Sequence, residues 1–276
     1  MVTHEKQVVI FTDLDGTLLD HKSYSWEAAR PALDLIKQKA IPLVLCSSKT
    51  RTEIEALRQQ LDNHDPFISE NGGGIFIPNG YFDFSFAFQK KVSPYQVIEL
   101  GTPYARLREA LLLITQQTGV PLKGYGDLSA GEISAQTGLS IQDAQLSKQR
   151  EYDEPFVFMG TDEQRKRILR LIEERGLNWT WGSRFDHLTG ANDKGKAVKI
   201  LTDLFKQKFR SVITVGLGDS PNDLPMLKAV DYPILVQKAG GQYEDSIQLN
   251  NLIKAEGIGP EGWKKAVFRL LASFAD

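Results

Sequence analysis

The sequence predicts an α/β protein, a doubly wound, Rossmann-like parallel sheet with a smaller α/β domain inserted into it. Three observations predict this. Val8-Val9-Ile10-Phe11 is a short, unbroken apolar run rich in β-branched residues, the pattern of a strand buried on both faces of a parallel sheet. Strand and helix patterns then alternate, as in βαβ units. The same alternation returns near the C-terminus, after a middle stretch of different character.

Residues 29–39 read as a helix with Leu33 and Ile36 on one face, and Pro31 suits its first turn. Residues 41–46 read as a second buried strand. Residues 50–61 read as a helix carrying Ile54, Leu57 and Leu61 at helical spacing. In the C-terminal part a helix is expected at 194–205, a strand at 212–215 and a short helix at 223–228. A strand at 232–236 and a helix at 263–274 follow. Between these halves, 80–88 alternates through Phe82, Phe84, Phe86 and Phe88 and reads as strand. Leu107, Leu111 and Ile114 mark an amphipathic helix. Residues 129–137 and 141–149 read as two short helices, the first stopped by Gly138, the second opened by Ser140 with Asp143 in a capping-box pattern. A strand at 156–159, a helix at 163–174 and a strand at 178–181 complete the middle. The expected division is a core at 1–84 and 190–276 with an insert at 85–189.

Bulk properties narrow the functional classes. A chain of 276 residues, 41% hydrophobic and 25% charged, can bury a substantial core in one large or two medium domains. Its formal charge of −2 carries no broad basic footprint, so composition makes no case for nucleic acid or an anionic membrane surface. Cys46 stands alone and forms no internal disulfide, which fits a reducing compartment. The N-terminus shows no signal-peptide pattern and no run nears the ~18 apolar residues of a membrane span, so a cytoplasmic protein is expected.

Four short segments carry candidate chemistry. Asp13-Leu14-Asp15-Gly16-Thr17 follows the first strand, where doubly wound sheets bind ligands. Two carboxylates two residues apart can serve one site there, and Gly16 lets the chain turn sharply; alone, the pattern is equally a polar turn. Ser47-Ser48-Lys49-Thr50 ends the second strand and opens a helix, either an anion site or a plain N-cap. Lys194 opens a later helix and is either a point charge for a phosphate or a solvent-facing lysine. Gly218-Asp219-Ser220-Pro221-Asn222-Asp223 follows another buried strand and reads as a surface turn or an acidic site. Asp13, Asp15 and Asp219 offer the carboxylate oxygens that Mg2+ prefers.

All four segments fall where strands end or helices begin. In that order they resemble the motifs of the haloacid dehalogenase superfamily of phosphotransferases. The resemblance implies that Asp13 is the nucleophile that forms an aspartyl-phosphate. It implies that Asp15 first protonates the leaving oxygen and then activates water. It further implies that Ser47, Lys194 and Asn222 bind phosphoryl oxygens, and that Mg2+ is held by Asp13, the backbone carbonyl of Asp15, and Asp219, with Asp223 supporting that shell. The insert between Ser47 and Lys194 resembles a C2B-type cap, which implies substrate selection and closure over the site.

Further stretches resemble the mannosyl-3-phosphoglycerate phosphatase family over nearly the whole chain. They include Ser69-Glu70-Asn71-Gly72-Gly73-Gly74, Gly126-Asp127-Leu128-Ser129, Arg150 to Phe156, Gly182 to Leu188 and Gly259-Pro260-Glu261-Gly262-Trp263. The implied substrate is a phosphorylated sugar-glycerate, mannosyl- or glucosyl-3-phosphoglycerate. Arg150 and Arg184 are fitting partners for its carboxylate, and Ser183 for its sugar or glycerate. Each arginine is otherwise an ordinary surface or ion-paired residue. Glu151 and Glu154 are either acceptors for sugar hydroxyls or structural ion pairs. His187 is expected to be a packed or hydrogen-bonded residue near the hinge and not a catalyst, because Asp15 already fills the acid–base role. A broad-specificity sugar-phosphate phosphatase, a phosphomannomutase-like phosphotransferase and a non-catalytic sensor are the alternatives.

Overall fold

The computed structural model describes residues 6–181 and 185–274. In chain order the strands are β1 (Gln7–Thr12), β2 (Leu43–Cys46), β3 (Phe67–Ser69), β4 (Gly74–Pro78), β5 (Lys90–Val92), β6 (Tyr95–Glu99), β7 (Leu122–Gly124), β8 (Asp153–Phe158), β9 (Asn178–Trp181), β10 (Asp186–Thr189), β11 (Val212–Gly218), β12 (Tyr232–Gln237) and β13 (Ile253–Ile258). The helices are α1 (Arg30–Gln38), α2 (Arg51–Leu61), α3 (Tyr104–Thr118), α4 (Ala130–Thr137), α5 (Ile141–Ser147), α6 (Asp162–Glu173), α7 (Lys194–Phe209), α8 (Leu224–Leu227) and α9 (Gly259–Ser273).

Nine strands form one sheet in the order β13-β12-β11-β1-β2-β3-β4-β6-β5. From β13 to β3 every neighbour is parallel, and β4, β6 and β5 add an antiparallel edge. The central strands are apolar throughout because both faces are covered. Val8 and Ile10 pack on the side of α1, α2 and α9, while Val9 and Phe11 pack on the side of α7 and α8. Trp263 of α9 is fully buried and its indole N–H donates to Thr12 Oγ1 at 3.0 Å, fixing that helix to the end of β1. Among the described residues no helix is long and apolar enough to cross a membrane.

A second sheet, antiparallel, runs β7-β8-β10-β9. Its core joins Leu107, Leu111 and Ile114 of α3 to Ile168 and Ile172 of α6 over Phe156 and Leu188. Gly138 ends α4 in the left-handed conformation, and the Ser140 side chain accepts the Asp143 N–H at the start of α5, as the turn chemistry predicts.

Two sequence expectations are corrected. Residues 80–88 are not a strand. Phe82, Phe84, Phe86 and Phe88 do face inward alternately, but onto α7, where the Phe82 and Phe205 rings lie 5.5 Å apart, and the segment joins no ladder. The period of two recorded a covered face and not a sheet partner. The expected start of the insert at 85 is also too early. β6 pairs with β4 from Gly74–Glu99 to Pro78–Tyr95, so residues 90–99 extend the larger sheet. We propose 102–189 for the insert. The two strands of this hairpin are too short for periodicity to assign them to either sheet.

The phenylalanine strap is expected to contribute stability only. Phe82→Ala should lower unfolding free energy by about 3 kcal/mol, the usual cost of emptying a buried aromatic site. Denaturant unfolding would show this, with turnover per folded molecule unchanged.

Candidate active site

The parallel strands bring three of the four segments to one edge. Asp13 lies just beyond β1, its N–H bonded to Leu217 O at 2.9 Å, and it is 5% exposed. Gly16 then turns the chain with φ +84, and a Cβ there would stand 2.8 Å from Asp219 Oδ2. The loop after β11 brings up Asp219 and Asp223. Backbone N–H groups of Asp219 and Ser220 donate to Asp223 Oδ2 at 3.0 and 3.1 Å, which fixes that carboxylate. Asp219 in turn accepts the hydroxyls of Ser220 at 3.0 Å and Thr17 at 3.3 Å.

Lys194, 1% exposed, is the first residue of α7, and Asp193 caps the helix behind it. Its Nζ lies 2.6 Å from Asp13 Oδ1 and 2.6 Å from Asp223 Oδ1. Burial disfavours a charge here, but the two carboxylates hold the ammonium above its ordinary pKa. One cation against three acids leaves the cluster short of positive charge. Burial, then repulsion from Asp223, raises Asp13 well above the ordinary carboxyl range. The same causes in the same order push Asp219 up to about 7.

A ligand oxygen from each of Asp13, Asp219 and Asp223 lies within 4.8 Å of the others. These are hard oxygen donors, buried and carrying uncompensated negative charge, and they fit a divalent cation. The Asp15 side chain turns away from them. Its Oδ2 pairs with Lys49 Nζ at 2.9 Å, and its Oδ1 is buried with no hydrogen-bond partner. Ser47 follows β2 and is fully buried, and its hydroxyl accepts the Lys49 N–H at 3.2 Å.

The insert closes over this edge. Arg150 donates from Nη1 to Ser48 O at 2.7 Å and from Nε to Ser147 O at 2.8 Å, so it joins the two domains through carbonyls. The Thr52 hydroxyl donates to Leu146 O at the end of α5, and Tyr24 donates to Thr137 O at the end of α4. Both satisfy helix-terminal carbonyls. The buried Glu70 carboxylate accepts N–H groups of Glu151 and Tyr152 where the chain enters β8. Between the domains lies a cleft that reaches from Asp13 and Asp15 up to Tyr24, Tyr125, Arg150 and Phe185.

A family model for haloacid dehalogenase-like hydrolases matches residues 10–244. The chain is 52% identical over 263 residues, 95% of its own length and 97% of the relative's, to the glucosyl-3-phosphoglycerate/mannosyl-3-phosphoglycerate phosphatase of Methanococcoides burtonii. The chain belongs to the haloacid dehalogenase-like hydrolase family. The identically named phosphatase of Persephonella marina is 42% identical, covering 96% of this chain and 97% of its own. A solved Thermoplasma acidophilum structure shares the fold at TM-score 0.68 and 17% identity, covering 98% of this chain and 99% of its own.

Of the residues that sequence reasoning singled out in this hydrolase, Asp13, Asp219, Asp223 and Lys194 form one cluster, with Asp15 and Ser47 at its margin. Asn222 lines the cleft, but its amide donates to Asn71 Oδ1 at 3.1 Å. Asn71 passes the chain on to Asp153 at 2.7 Å, and Asp153 accepts from or pairs with His187 Nδ1 at 2.9 Å. His187 is thus a buried, hydrogen-bonded residue of the insert, as expected. Glu154 is paired with Arg108 at 2.6 Å and Glu151 with Arg51 at 2.9 Å, both structural ion pairs. Ser183 and Arg184 lie outside the described residues. Lys49 and Tyr24 were not singled out. Lys49 stood inside the second segment, but only the fold sets it against Asp15.

Proposed function

We propose that this hydrolase removes phosphate from both mannosyl-3-phosphoglycerate and glucosyl-3-phosphoglycerate with Mg2+, through a phosphorylated Asp13. The observation that carries the chemistry is Lys194 bonded at 2.6 Å to both Asp13 and Asp223, in one cluster with Asp219 at the floor of the interdomain cleft. The names of the two relatives at 52% and 42% identity, each covering both sugars, support the substrate.

In this reading Asp13 attacks phosphorus, and its carboxylate oxygen forms the new bond as the ester oxygen leaves. Asp15, beside it on the cleft side, gives its proton to that oxygen and then takes one from the water that hydrolyses the aspartyl-phosphate. Lys194 holds Asp13 in place and offsets the charge of the phosphoryl oxygens. Ser47 and Asn222 bound the phosphoryl pocket. Asp13, Asp219, Asp223 and the carbonyl of Asp15 would hold Mg2+, which offsets the repulsion between carboxylate and phosphate. The closed insert keeps bulk water from the site.

Phosphate release from the two substrates, with Mg2+ or with EDTA, tests this. Metal-dependent release from both is expected. Release from small sugar phosphates but neither of these would overturn the substrate.

Cation binding should also depend on pH. Burial and the neighbouring Asp223 push Asp219 up to about 7 without metal, so below that pH a cation must displace a proton. Apparent Mg2+ affinity should fall by up to about tenfold per unit as pH drops from 7 to 5. Calorimetric titration with Mg2+ across that range would show it, and a flat profile would contradict it.

A further inference from the structure

Lys49 has no part in the chemistry above, yet it is one of two lysine or arginine side chains that line the cleft among the described residues; Arg150 is the other. The proposed substrate brings two anionic groups. Its phosphate is met by Lys194. Its carboxylate needs a second cation.

Arg150 is poorly placed to supply it. Its Nε and Nη1 are already committed to the carbonyls of Ser147 and Ser48, and its work is to join the domains. Lys49 is differently held. Its Nζ lies 2.9 Å from Asp15 Oδ2 and 3.6 Å from Glu53 Oε1, over the Tyr24 ring. Glu53 Oε2 is occupied by the Thr50 N–H at 2.8 Å and the Thr50 hydroxyl at 2.9 Å in the helix cap. The close partner of Lys49 is therefore Asp15, the residue that must reach the ester oxygen.

The chemistry of the substrate fixes what else arrives there. In 3-phosphoglycerate the carboxylate sits on the third carbon from the ester oxygen, so its oxygens lie roughly 3–5 Å from that oxygen by ordinary bond lengths. A general acid stands about 3 Å from the oxygen it protonates. An ammonium 2.9 Å from Asp15 Oδ2 can then reach the carboxylate with one charge-assisted hydrogen bond. Tyr24 and Tyr125 line the upper cleft, where the sugar on the middle carbon would lie.

Resting on the substrate reading above, we infer that Lys49 binds the glycerate carboxylate and selects for acids over the corresponding alcohols. The test compares glucosyl-3-phosphoglycerate with the otherwise identical glucosylglycerol 3-phosphate, in which a hydroxymethyl group replaces the carboxylate. Wild type should favour the acid by about 10–100-fold in kcat/KM, the range of one hydrogen bond between charged groups. Lys49→Ala should bring that ratio close to one, chiefly through KM for the acid, and Lys49→Arg should restore part of it. Equal losses on both substrates in Lys49→Ala would overturn the inference, since Lys49 would then act only on Asp15 or on the fold. A wild type that prefers neither would overturn it too. A wild type that turns over neither, while hydrolysing p-nitrophenyl phosphate, would overturn the substrate reading and the inference with it.

Discussion

Asp13→Asn is expected to abolish phosphate release, lowering kcat by at least about 10⁴-fold. The amide cannot displace the ester oxygen, and no other carboxylate in the cluster can take over. Asp223 is fixed by the Asp219 and Ser220 N–H groups, and Asp219 by two hydroxyls. The fold should survive the change. An amide is nearly isosteric and removes one of three mutually repelling acids, so thermal unfolding without metal should be unchanged or shifted upward. Phosphate release and a melting curve on the same sample check both statements. Loss of activity together with loss of folding would point to a structural Asp13.

Lys194→Met should be costly in two ways. It leaves Asp13 and Asp223 buried without their shared cation, and breaking a buried pair costs about 3–5 kcal/mol. It also removes the charge that offsets the phosphoryl oxygens, worth about 10²–10³-fold in kcat. The stability loss has a predictable pH dependence. Without the ammonium, the folded-state carboxyl pKa of Asp13, already above the unfolded value of about 3.9, rises further. A raised folded pKa means that the folded state binds more protons, so stability falls as pH rises through that interval. The deficit against wild type should therefore be smallest near pH 5 and largest near pH 8 in EDTA. Mg2+ should recover part of it by supplying positive charge. Denaturant titrations at the two pH values, with and without Mg2+, measure this directly. A deficit that ignores both pH and Mg2+ would mean lost packing and not lost charge.

The core of the site was legible because its residues mark strand ends. Asp13, Ser47 and Asp219 each follow an apolar run that only a strand buried on both faces explains, and parallel strands deliver such ends to one edge. Lys194 was legible only in company, since a lysine opening a helix has no distinguishing feature until Asp13 and Asp223 stand opposite. The insert was visible as a change of pattern, but its start was not. Val92 and Tyr95 are three residues apart, and strands that short carry no usable period. Residues 80–88 misled for a physical reason, because a strap packed on a helix alternates as a strand does. Arg150 was read as a partner for the substrate carboxylate; in the fold it lines the interdomain cleft and bonds two carbonyls. Nothing local announces that Ser48 and Ser147 will face it. Lys49 went unremarked because its partner, Asp15, lies on a different strand end.

The chemistry requires a covalent bond between Asp13 and phosphorus, and borohydride trapping tests for it most directly. Enzyme mixed with glucosyl-3-phosphoglycerate and Mg2+ is quenched in acid within one turnover, then reduced. An aspartyl-phosphate is converted to homoserine, which peptide mass spectrometry locates. Homoserine is expected at position 13 and nowhere else, and none when substrate is omitted. An unmodified Asp13 in enzyme that is turning over, with inversion at phosphorus, would mean direct attack by water and would contradict the covalent step.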